Sequence, residues 1–90
     1  MIEPRDVVGF QVLARCGPLG FVVDPARYGR ADEPELLVVR GGVSDSLYYH
    51  VPLATVTSVA PGRQVLAIEL GSGDFSPQLR GDGSVDLRVG

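Results

Sequence analysis

Apolar and polar side chains alternate in short blocks along the chain, and glycine or proline separates most blocks from the next. Val8, Phe10, Val12 and Ala14 alternate with Gly9, Gln11 and Leu13, the two-residue period of a strand with one buried face. Cys16-Gly17-Pro18-Leu19-Gly20 then predicts a tight reversal, because Pro18 fixes its own φ and either glycine accepts a positive one. Phe21-Val22-Val23 returns as the second strand. Leu36 to Val39 is a continuous β-prone run closed by Gly41-Gly42, and Leu47 to Val51 is its return. Pro52 lacks the N–H that a further ladder bond needs, so the strand is expected to break or bend there. Val56 to Val59 and Val65 to Leu70 form a hairpin around Ala60-Pro61-Gly62-Arg63, which sets proline and glycine in the order of a type II turn. No stretch carries sustained helical periodicity.

Two segments fall outside this pattern. Asp24 to Pro34 holds two prolines, three acids and two arginines, which together offer no continuous buried face, so it reads as a surface loop. After Leu70 the chain becomes GSGDFSPQLRGDGSVDLRVG, with five glycines in twenty residues. Val85, Leu87 and Val89 still alternate with Asp86 and Arg88, so residues 71–90 read either as a flexible extension or as an added strand at an open edge, here or in a neighbouring molecule. Residues 1–70 are expected to form the single domain, since 90 residues support only one core. At about 0.05–0.15 kcal/mol per residue such a domain gains noticeably from self-association, and a homo-oligomer is expected.

Composition narrows the function classes. The eight cationic residues are all arginine, a bias that base composition in a GC-rich genome explains more simply than function. Net charge is −3 with both signs interspersed, so neither autonomous nucleic-acid binding nor attraction to anionic lipid is expected. MIEPRDVVGF lacks a basic flank and a long apolar run, so it resembles neither a signal peptide nor a membrane span. Cys16 has no second cysteine to pair with, in keeping with a reducing compartment, and a cytoplasmic protein is expected.

Candidate chemistry is sparse. His50 is the only imidazole, and without visible spacing partners it reads as a surface-facing or hydrogen-bonded structural residue, not a general base or metal ligand. Cys16 sits beside Arg15, which favours thiolate, yet no resolving cysteine is near, so it reads as an ordinary small residue at a strand end. Asp32, Glu33 and Glu35 read as solvated loop charges. Gly71-Ser72-Gly73 completes no phosphate-binding motif, Asp82 and Asp86 lack the spacing of a calcium loop, and GDGS reads as a turn. Tyr48 and Tyr49 must point to opposite faces of their strand, one inward and one outward, with Arg40 and Arg63 as candidates to flank the outward ring. Tyr48, Tyr49 and His50 are therefore the candidate binding residues; no catalytic residue, metal or cofactor is assigned.

The order of these pieces resembles the PRC-barrel domain family. The resemblance rests on Val8-Gly9 with Val12, on Leu19-Gly20-Phe21-Val22-Val23-Asp24, on Leu37 to Gly41, and on His50-Val51-Pro52-Leu53 followed by Val56 and Val59, covering roughly residues 5 to 70. It implies an all-β fold, a small, strongly bent antiparallel β-barrel, used as a docking module with no shared catalytic residues. The resulting expectation is a non-catalytic adaptor that binds another protein through a strand edge or apolar patch. The alternative is a small-ligand carrier or sensor whose barrel mouth lies near Tyr48, His50 and the Asp24 to Pro34 loop.

Overall fold

Eight strands form where alternation and β-branched runs place them. In the computed structural model, which describes residues 4–24, 36–42 and 46–90, they are β1 (Gln11–Ala14), β2 (Gly17–Val22), β3 (Leu36–Gly41), β4 (Leu47–Pro52), β5 (Val56–Ala60), β6 (Val65–Ile68), β7 (Phe75–Leu79) and β8 (Val85–Val89). The only helical pieces among these residues are four 3-10 turns of three or four residues. The fold is all-β, as the alternation requires.

All eight strands belong to one sheet, in the order β5-β6-β1-β2-β3-β4-β8-β7, and the sheet is not closed into a barrel. Nor is it purely antiparallel, because β1 pairs with β6 in parallel and β4 with β8 likewise. The expected closed antiparallel barrel is thus corrected to an open, mixed sheet. Both parallel contacts join strands that no short turn connects, so nothing local in the sequence announces them.

The sheet nevertheless has to curl. Seven chain steps lead from Ile68 to Phe75, a reach of at most about 25 Å. β6 is second in the order and β7 eighth, so a flat sheet would hold them about 29 Å apart. Curling draws Leu66, Ile68 and Phe75 into one core with Val12, Val22, Leu37, Val39, Tyr49 and Val51. Register shows that most of these share one face: Val22 stands opposite Val39, Val39 opposite Tyr49, Leu37 opposite Val51, and Val12 beside Leu66. Tyr49 packs edge-on against Phe75 with ring centroids 5.1 Å apart. Burial of that ring pushes the Tyr49 hydroxyl above its usual ionisation range.

Several local expectations are refined. The first hairpin turns at Arg15-Cys16, one step earlier than expected, and Gly17 to Gly20 lie within β2. Val12 pairs with Gly20 and Leu13 with Pro18, so Leu19 is the extra residue of a bulge and turns its side chain into the core. The segment before β1 is no strand: Pro4–Val7 is a 3-10 turn, and Phe10 N–H donates to the Val7 carbonyl at 3.0 Å. The hairpin of β5 and β6 forms as expected, but its turn is not type II. Pro61–Arg63 makes a 3-10 turn, and the positive φ falls on Gln64 at 54°, not on Gly62. At Pro52 the strand ends, and a 3-10 turn over Leu53–Thr55 redirects the chain into β5. Residues 71–90 carry β7 and β8, with β8 against β4 and β7 outermost. The loop expected over Asp24 to Pro34 lies, beyond Asp24, outside the described residues, as do Asp32, Glu33 and Glu35.

β2 and β3 approach closely just beyond the paired Phe21 and Arg40. A Cβ on Gly20 would collide with the Arg40 carbonyl oxygen, and one on Gly41 with that of Leu19. Both obstacles are backbone, so a flexible side chain cannot give way. Gly41→Ala is expected to destabilise the protein by about 2 kcal/mol or more, whereas Gly62→Ala, with nothing within 4 Å, should leave the denaturation midpoint nearly unchanged. Urea denaturation of the two variants measures the difference.

Candidate functional site

The face opposite the core carries polar groups together with the rings of Phe21 and Tyr48. One row crosses five strands in register: Phe21, Arg40, Tyr48, Asp86 and Gln78. Side chains opposite one another in such a row lie on the same side of the sheet and touch their neighbours. Phe21 is 55% exposed, an unusual position for a phenylalanine, and Arg40 beside it is also exposed. Tyr48 is half-buried, and the guanidinium carbon of Arg80 lies 5.6 Å from its ring centroid, a cation–π distance. Arg40 and Tyr48 also line a cleft of about 270 Å³ together with Val8, Gly9, Val23 and Asp24.

Of the three candidate binding residues, Tyr48 alone reaches this surface. Tyr49 points into the core, as the period of a strand demands, and presents nothing to a ligand. His50 shares the face of Tyr48 but is only 2% exposed. Its Nε2 lies 3.2 Å from Oδ1 of Asp86, which stands opposite Tyr48 on β8. The two groups lie within ion-pair distance, and by direction the contact falls short of a well-aligned hydrogen bond. The imidazole is a structural group bridging β4 and β8, and its contact nitrogen is turned away from solvent. Arg40 flanks Tyr48 as anticipated, whereas Arg63 sits in the turn between β5 and β6, four strands away in the sheet order.

Asp86 is the residue that sequence reasoning missed. Its alternation with Val85 and Leu87 marks it as the polar side of a strand, which ordinarily means solvent. Only the pairing of β8 with β4 sets it against His50, and that pairing joins residues far apart in the chain.

A second polar cluster lies where the β1–β2 turn meets the turn after β6. The Ser72 backbone N–H donates to Cys16 Sγ at 3.3 Å, and the Ser72 hydroxyl stands 3.4 Å from the same sulfur. The hydroxyl first and the backbone N–H second hold the Cys16 thiol below its ordinary range, although the residue is exposed. Gly71-Ser72-Gly73 belongs to a tight turn, with Gly71 N–H donating to Asp74 Oδ2 at 2.8 Å. The GDGS segment is likewise a turn between β7 and β8: Ser84 donates to Asp82 Oδ1 from its hydroxyl at 2.6 Å and from its backbone at 3.0 Å. Those bonds draw the Asp82 carboxyl below the usual carboxylate range. Among the described residues, no three of His, Cys, Asp or Glu converge as a metal site, and no helix is long and apolar enough to cross a membrane.

Two expectations follow from these contacts. Asp86→Ala removes the carboxylate from a buried imidazole and is expected to cost about 3 kcal/mol, read as a shift of the denaturation midpoint. The rate of Cys16 alkylation by iodoacetamide should reach half its maximum at a lower pH than that of a free thiol, and Ser72→Ala should move that midpoint back upward. Comparison of the chain with family models, with curated proteins and with solved structures finds no match.

Proposed function

We propose that this protein is a non-catalytic docking module that acts in the cytoplasm and binds a protein partner through the row Phe21, Arg40 and Tyr48. The observation that carries this reading is the exposure of Phe21 beside an arginine and a tyrosine in a single cross-strand row. Aromatic and arginine side chains are the residue types that dominate binding energy at protein interfaces, and here a rigid sheet fixes their spacing. The likeness to PRC-barrel domains supports the same kind of role, docking without chemistry. The burial of His50 supports it as well, since a general base must reach its substrate.

A second reading has one observation in its favour. The cleft of about 270 Å³ brings Asp24, Arg40 and Tyr48 to its wall, a set able to hold a small polar metabolite. Its size lies just below the roughly 300–1,000 Å³ usual for ligand pockets.

Affinity capture separates the two readings. Tagged wild-type protein and the Phe21→Ser variant are incubated with lysate of the native host, and retained proteins are quantified by mass spectrometry. A partner held by the wild type and depleted at least about tenfold by Phe21→Ser is expected, since an interface anchor contributes about 2 kcal/mol or more. Identical capture by both would remove this surface from consideration. A thermal shift with a metabolite, abolished by Arg40→Ala, would favour the cleft.

A further inference from the structure

The last two strands attach to the sheet along one side only. β7 and β8 form a hairpin of five residue pairs, from Phe75 opposite Val89 to Leu79 opposite Val85, and Arg80 N–H donates to the Ser84 carbonyl at 2.8 Å in its turn. This hairpin reaches the sheet through a single ladder, the four parallel pairs of β8 with β4. Among the described residues β7 pairs with β8 alone, and Phe75 is the one buried residue of that strand. A hairpin complete in itself and held along one side opens from a sheet as a unit.

The covalent tether to that hairpin is bent and exposed. Between Ile68 and Phe75 the chain makes a 3-10 turn over Ser72–Asp74. Gly71 N–H donates to Asp74 Oδ2 at 2.8 Å, Asp74 N–H donates to the Gly71 carbonyl at 3.0 Å, and Ser72 N–H reaches Cys16 Sγ at 3.3 Å. Ser72, Gly73 and Asp74 lie in solvent, and a Cβ on Gly73 would meet nothing within 4 Å. Beyond Leu70 the bend therefore depends on exposed hydrogen bonds, not on packing, and little opposes its straightening.

We propose that residues 71–90 exchange between two copies of this chain, so that β8 of each copy pairs in parallel with β4 of the other and the tether straightens between them. The contacts already present fix the occupant. A β4 edge vacated by its own hairpin offers the parallel register from Leu47 to His50, the Tyr49 ring that packs on Phe75, and the imidazole of His50 for Asp86. Residues 71–90 of a second copy meet all three without change, and reciprocal exchange closes the pair under a two-fold axis. Arg80, stacked over the Tyr48 ring, would then come from the second copy, while Phe21 and Arg40 stay with the first. The exchange does not rest on the docking role of that row. Because the contacts are the same in both forms, concentration decides between them. A short tether holds the hairpin beside its own β4 at an effective concentration in the millimolar range, so exchanged pairs become abundant as the chain approaches about 1 mM.

Refolding from urea tests this. In a Cys16→Ser background, one chain carries Leu47→Cys and another Val85→Cys, positions that face each other across β4 and β8. The two are refolded together, oxidised and analysed by mass spectrometry. A disulfide between the unlike chains is expected at about 1 mM, at least about tenfold more abundant than at about 10 μM. The wild-type chain, refolded at about 1 mM, is expected to show a species of twice the 9.5 kDa of one copy in sedimentation velocity, a readout independent of the cysteine variants folding. Asp74→Ala removes a hydrogen bond that only the bent tether makes, and is expected to raise the dimer fraction about fivefold at about 100 μM. Absence of the mixed disulfide, a disulfide as abundant between like chains as between unlike ones, or a wild-type chain with the mass of one copy at about 1 mM would overturn the proposal. So would a dimer that Asp74→Ala leaves unchanged, since the tether would then not be the part that opens.

Discussion

A single sheet with one apolar face has nothing to pack against except itself. The described residues of this chain form no α-helix and no second sheet, so burial of Leu37, Val39, Val51, Leu66 and Ile68 depends on the sheet bending until its own ends approach. Two features serve that bend. Gly20 and Gly41 let β2 and β3 come closer than any side chain would permit. The short link from Ile68 to Phe75 ties the two ends of the sheet together. The apolar transfer that drives folding is thus inseparable from sheet curvature, and residues with no apolar surface of their own control it.

Curvature toward one face leaves the other to accommodate everything polar, but not everything there is solvated. Val38, His50 and Asp86 all lie on the second face and are nearly inaccessible. Desolvating an imidazole and a carboxylate is costly, and their contact at 3.2 Å offsets that cost locally. The contact also has a structural consequence. β8 joins β4 through a parallel ladder of only four residue pairs, and the pair adds a side-chain link between those two strands. A buried polar contact of this kind favours one register over a slipped one, because a shift of one residue would carry Asp86 to the apolar face.

The same geometry separates the surfaces that remain. Phe21, Arg40 and Tyr48 stand on strands held on both sides, which makes their spacing rigid. β5 is held on one side only.

Alternation along the chain was sufficient to locate β3, β4, β5 and β6 to within a residue or two, and it sent Tyr48 and Tyr49 to opposite faces, because a period of two is a property of the strand backbone and needs no partner. Pro52 stopped β4 for an equally local reason, its missing donor. Turn chemistry was less legible: Gly17 and Gly20 looked like a reversal because a bulged strand and a tight turn both use glycine, and Gln64 took the positive φ that Gly62 could have taken. The parallel pairings of β1 with β6 and β4 with β8, the placing of β5 and β7 at the two edges of an open sheet, and the meeting of His50 with Asp86 lie beyond any local pattern. Each joins residues tens of positions apart, and the free energy that selects them comes from closing one shared core, a sum over the whole chain that no short stretch contains.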